Sequence, residues 1–260
     1  MRGGMAQTCG MKETIGVLLA TVAMAVAGPL EEMKAEVHEK EGKSLPFRWT
    51  TVGEGESPAM VLFLHGAGER GSDNKVQLKH GVPDLLKWLE ANKENAVVVA
   101  PQCNEGVWWA DLKGDFRSPE GGTLSDTPSA MLTMVFEVVD RLAKENKVDT
   151  SRIYVTGLSM GGFGSFGAVG HRPDFFAAAM PICGGGDPST AGKMKKVPFR
   201  VYHGGADSVV PPACSEVMVK ALKKAGADVK LIGYPGVNHD SWTRTYKNDE
   251  VWKWLFAQKK

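Results

Sequence analysis

The chain has 260 residues, 43% of them hydrophobic, enough for a substantial core in a single domain of the larger α/β kind. Lys and Arg number 31 against 30 Asp and Glu, giving a formal net charge of +1. With the basic residues scattered, that balance gives no electrostatic basis for binding nucleic acid or an anionic membrane.

Lys12 precedes an apolar run, Ile15 to Ala27, that is too short to span a bilayer comfortably and closes on Ala25-Val26-Ala27. Residues 1–27 are therefore expected to be a signal peptide. The mature protein is expected to be secreted or periplasmic, with no stable membrane span once the leader is removed. Cys9 lies ahead of the apolar run, so it is not a lipoprotein acylation site. Cys103, Cys183 and Cys214 follow the leader, and an odd count leaves at least one thiol free. Buried core thiols and one disulfide are equal alternatives.

Residues 28–45 read as a charged connector, helical over Glu31 to Lys43, ahead of a single domain over 46–260. Phe47 to Val52 reads as a first strand and Met60 to Leu64 as a strand buried on both faces. Val76 to Glu90 has helical spacing, with Pro83 as an early break. Ala96 to Ala100 is a further apolar strand, followed by an irregular loop, Gln102 to Leu124. Pro128 to Lys147 forms an amphipathic helix. Three more strands are expected at Phe176 to Ile182, Phe199 to His203 and Val229 to Tyr234, with helices at Ala213 to Ala225 and Asp249 to Ala257. Strands alternating with helices imply a mostly parallel sheet covered on both faces, with sites at the carboxyl ends of its strands.

The most specific segment is Ile153 to Gly161. A β-branched strand runs into Gly157-Leu158-Ser159-Met160-Gly161, the Gly-x-Ser-x-Gly nucleophile elbow in its strand-to-helix setting. A serine hydroxyl needs a base, and in this architecture the chain order is Ser, then Asp or Glu, then His. Asp207 follows one late strand, and His239 follows the next as the only histidine downstream of it. Ser159, Asp207 and His239 are thus the candidate nucleophile, acid and base. Asp240 and Asp187 are weaker rivals for the acid. His203 reads as a core histidine bonded to the loop carrying Asp207. The oxyanion hole is expected to use the N–H of Met160 and that of Ala67, with Gly68 as fallback. In that loop, Glu69 and Arg70 either contact substrate or pair with each other and tie the loop down, the pair being the expected arrangement. No His-Glu-x-x-His or clustered ligand spacing occurs, so neither a metal nor a cofactor is expected.

Over roughly Phe47 to the C-terminus the sequence resembles the α/β-hydrolase superfamily. More narrowly, it is similar to a group of secreted bacterial esterases and putative peptidases. That group resembles feruloyl and acetylxylan esterases and the phospholipase/carboxylesterase family. The residues that carry the likeness are His65 to Gly71, Ala100 to Cys103, Asp149 to Gly164, Pro181 to Gly186 and His239 to Trp242. The resemblance implies an α/β-hydrolase fold without a large lid and a serine carboxylic ester hydrolase working through an acyl-enzyme. Its substrates would be small-molecule or polysaccharide-linked acyl esters of the feruloyl or acetyl type. A prolyl-oligopeptidase-like peptidase or amidase is the alternative, and a non-catalytic binding relative a further one. Trp108, Trp109 and Trp242 are candidates for contacting substrate, each with core packing as the competing reading.

Overall fold

The computed structural model describes residues 30–260, apart from 116 and 119, together with residues 1, 3 and 28. The expected leader, 1–27, lies almost wholly outside the described residues. Among those residues, no helix is long and apolar enough to cross a membrane.

In chain order the elements are β1 (Lys34–Lys40), β2 (Lys43–Val52), β3 (Ala59–Leu64), α1 (Val82–Asn92) and β4 (Ala96–Pro101). Two short strands, β5 (Leu112–Lys113) and β6 (Thr123–Leu124), precede α2 (Ala130–Glu145), β7 (Ile153–Leu158), α3 (Met160–His171) and β8 (Ala178–Ile182). The chain continues through α4 (Ala191–Met194), β9 (Phe199–Gly204), α5 (Ala213–Lys224) and β10 (Val229–Tyr234) to α6 (Trp242–Tyr246) and α7 (Asp249–Phe256). The main sheet has the order β1-β2-β4-β3-β7-β8-β9-β10. It is parallel from β4 to β10, while β2 is antiparallel to both β1 and β4.

Alternating strand residues feed two cores. Met60, Leu62, Val97 and Val155 pack on one side with α2, α3 and α5. Val61, Phe63, Val98 and Tyr154 pack on the other with α1 and α7. The continuous apolar runs of β3, β4 and β7 thus reflect burial on both faces of the sheet.

Two expectations are corrected. The connector over 28–45 is not a charged helix: it supplies β1 and the first residues of β2, so the expected strand from Phe47 begins at Lys43 and pairs with one further strand in a hairpin. Its charges alternate with period two and find partners across the sheet. Glu36 accepts from Trp49 Nε1 and pairs with Arg141, while His38 and Lys40 meet Glu137 on α2. The helix expected from Val76 is also shorter, because a 3₁₀ turn covers only Val76–Leu78 and α1 begins at Val82. Pro83 starts this helix instead of breaking it, since the first helical turn needs no N–H from that residue.

Candidate active site

β7 ends beside β3 and β8 at the middle of the parallel region, and Ser159 follows it directly. Ser159 has φ 53° and ψ −115°, a conformation that costs a non-glycine residue about 1–3 kcal/mol and lifts its side chain off the turn. Two glycines make the turn sterically possible. A Cβ on Gly161 would lie 1.9 Å from Leu64 O, and one on Gly157 would lie 2.5 Å from Gly161 O. Helix α3 then runs back under the sheet, buried along nearly its whole length.

Asp207 and His239 come from the loops after β9 and β10. His239 Nε2 lies 3.0 Å from Ser159 Oγ, and its Nδ1 lies 2.8 Å from Asp207 Oδ2. The Asp207 side chain is fully buried, and its other oxygen accepts from the N–H groups of Val209 and Val210, both at 2.9 Å. A carboxylate with both oxygens engaged is held in one orientation, which fixes the proton of the neutral His239 ring on Nδ1 and leaves Nε2 facing the serine. The rival carboxylates serve elsewhere: Asp240 caps the turn at Thr243, and Asp187 accepts from Ser189 and Leu124 N–H groups. His203 bonds Val210 O at 2.9 Å and lies 3.3 Å from Asp207 Oδ2, so it braces the acid's loop as expected.

The two expected oxyanion donors come from two different strand ends. Met160 opens α3, and Ala67 opens a 3₁₀ turn just after β3. Among the described residues neither amide has a protein acceptor. His65 controls the second of them, a role not visible in the sequence. Its Nε2 accepts from Cys103 N–H at 2.9 Å, so its proton sits on Nδ1, which donates to Gly66 O at 2.6 Å. Burial pushes the His65 ring down to about 4, which keeps it neutral in this role. Because the peptide is planar and trans, holding the Gly66 carbonyl on the His65 side turns the Ala67 N–H to the opposite side.

The three tryptophans part company. Trp109 is fully buried, donates its Nε1–H to His65 O at 3.0 Å and packs edge-on to the His65 ring. It supports the loop after β3 and is corrected from a substrate contact to a structural one. Trp108 is 40% exposed and lines a cavity of about 310 Å³ with Val107, Leu112 and Phe163. Trp242 is half-buried, with its ring edge-on to that of His239 at 5.2 Å. The expected Glu69–Arg70 pair is also corrected. Arg70 bonds Ala67 O at 3.0 Å and lies over Trp108, whereas Glu69 faces His80. Cys103, Cys183 and Cys214 are all free and buried. Cys183 brings its sulfur within 4.8 Å of ligand atoms of Asp207 and His239, but burial pushes that thiol up to about 12 and it stays protonated.

Parallel strands flanked by helices, a strained serine at the central strand-to-helix turn, and an acid and a histidine from the next two strand ends define an α/β-hydrolase. A family model described as phospholipase/carboxylesterase matches residues 50–248, and the chain belongs to that family. A solved structure titled as a thermostable esterase is 35% identical, with a TM-score of 0.80 over 89% of this chain and 64% of its own. The chain thus spans less than two thirds of that esterase. A protein named "Probable carboxylesterase" from Oryza sativa subsp. japonica is 26% identical over 211 residues, covering 75% of this chain and 76% of its own. A bifunctional acetylxylan esterase/xylanase of Neocallimastix patriciarum is 31% identical over 152 residues, 58% of this chain and 19% of its own.

Proposed function

We propose that the protein is a carboxylic ester hydrolase that works through an acyl-enzyme on Ser159, exported by its N-terminal leader and acting on short-chain or polysaccharide-linked acyl esters. The observation that carries this reading is the hydrogen-bonded line from Ser159 Oγ through His239 to Asp207. His239 Nε2 takes the serine proton as Oγ attacks the ester carbonyl carbon, and Asp207 stabilises the resulting imidazolium. The oxyanion gathers at the Met160 and Ala67 N–H groups, each worth about 3–4 kcal/mol to the transition state. Collapse returns the proton from His239 to the departing alkoxide. Water, deprotonated by the same nitrogen, then releases the acid and restores the serine.

The esterase names of the relatives support the reaction class, and the acetylxylan esterase half of the fungal protein's name supports an ester on a saccharide. The cavity walled by Val107, Trp108, Leu112 and Phe163 includes a residue of α3, the helix that Ser159 leads into, and its apolar walls suit an acyl group. Lys12, the apolar run to Ala27 and its Ala-Val-Ala ending support export.

The test is hydrolysis of 4-nitrophenyl acetate by protein beginning at Gly28. Turnover is expected in the native protein and is expected to vanish in a folded Ser159→Ala variant. Undiminished turnover in that variant would overturn the assignment.

A further inference from the structure

In the 3₁₀ turn just after β3 stands a carboxylate that has no hydrogen-bond donor among the described residues. Glu69 is 8% exposed, and the Nε2 of His80 stands 3.6 Å from its Oε1, beyond hydrogen-bond range. No N–H or O–H donor among the described residues reaches either oxygen, and Arg70, next in sequence, turns to Ala67 O instead. The other oxygen rests against the oxyanion loop itself, 3.1 Å from where a Cβ on Gly66 would stand. With no protein donor on it, this carboxylate is left to bind solvent or a ligand hydroxyl. Its ring neighbours lead toward the reaction centre: His80 packs on Trp242 at 5.7 Å, and Trp242 on His239 at 5.2 Å. The indole N–H of Trp242 is likewise without an acceptor.

In the mechanism above, His239 hands its proton to the leaving alcohol, so Trp242, packed on His239, and the His80 and Glu69 side chains that continue from it are assigned to the alcohol half of the ester. The Trp108 cavity is lined by none of them.

Resting on the proposed esterase reading, we infer that Glu69, His80 and Trp242 form the alcohol subsite and that it selects a polyhydroxylated alcohol, a sugar residue, over a simple alkyl one. A ligand hydroxyl donates to the Glu69 carboxylate, and the indole ring offers a flat apolar surface to the C–H face of the sugar. This assigns the saccharide side of the ester to named residues, with the acyl side left to the Trp108 cavity.

The test compares two acetyl esters, acetylated xylotriose and 4-nitrophenyl acetate, in the native protein and in Glu69→Gln. The readout is the ratio of their kcat/KM values, which cancels any general effect on the oxyanion loop. Glu69→Gln is expected to lower the saccharide-to-nitrophenyl ratio at least tenfold, chiefly through KM. A ratio unmoved by the substitution would overturn the subsite. A second measurement, xylotriose binding to Ser159→Ala by calorimetry, is expected to weaken at least tenfold when Glu69→Gln or Trp242→Ala is added; equal binding would also overturn it. Failure of the esterase reading looks different, because the native protein would then hydrolyse neither ester.

Discussion

At the scale of single residues, the site depends on backbone groups as much as on side chains. Gly161 sits so close to Leu64 O that an added methyl group requires the whole turn to move. Gly161→Ala is expected to cost upward of about 4 kcal/mol and to yield little folded protein, measured as soluble yield and melting temperature. His65 gives a pH-dependent test. Unfolded, it takes up a proton below about pH 6.5; folded, burial holds it down to about 4. Its contribution to stability is therefore complete above pH 6.5 and is lost as the pH falls toward 4, by about 3 kcal/mol at most. Between pH 7 and 4.5 the unfolding free energy is expected to fall less in His65→Asn than in the native protein, and equal slopes would contradict this. Ser159, Asp207 and His239 were legible because chain order leaves one histidine to choose. The role of Trp109 was not, since a tryptophan under a loop and one facing substrate look alike until burial is known.

At the scale of elements, the loops after β9 and β10 must hold their acid and base in register. Asn238 Oδ1 accepts from Ser208 N–H at 3.0 Å and from its neighbour His239 N–H at 2.9 Å, joining the two loops next to the residues that matter. Asn238→Ala is expected to cost about 1–2 kcal/mol and to reduce kcat about tenfold with less change in KM, read from melting and steady-state kinetics. Nothing in the sequence marked this asparagine, because its importance arises only when two distant loops meet. The β1–β2 hairpin was misread for a related reason. Charged residues at Glu36, His38 and Lys40 suit a solvated helix, yet their period of two fits a strand whose half-buried face meets Glu137 and Arg141. These pairs are partly exposed, so Glu137→Ala is expected to lower stability by no more than about 1 kcal/mol in chemical denaturation. The parallel strands were found readily, because burial on both faces makes each a short, unbroken apolar run.

At the scale of the whole molecule, the two cores on either side of the sheet leave its carboxyl edge free for chemistry. Every residue of the proposed machinery lies just beyond a strand: Ala67 after β3, Ser159 and Met160 after β7, Asp207 after β9, His239 after β10. The strands bring together groups far apart in sequence. His239→Ala and Asp207→Asn are each expected to lower kcat by several orders of magnitude, and the double variant little further, because the residues act as one unit. The most direct measurement is covalent: the protein is treated with a fluorophosphonate and the labelled peptide is located by mass spectrometry. One equivalent on Ser159, with labelling greatly slowed in His239→Ala, is the predicted result. An active protein labelled at another residue, or at Ser159 with undiminished rate after loss of His239, would contradict a Ser159 nucleophile activated by this histidine.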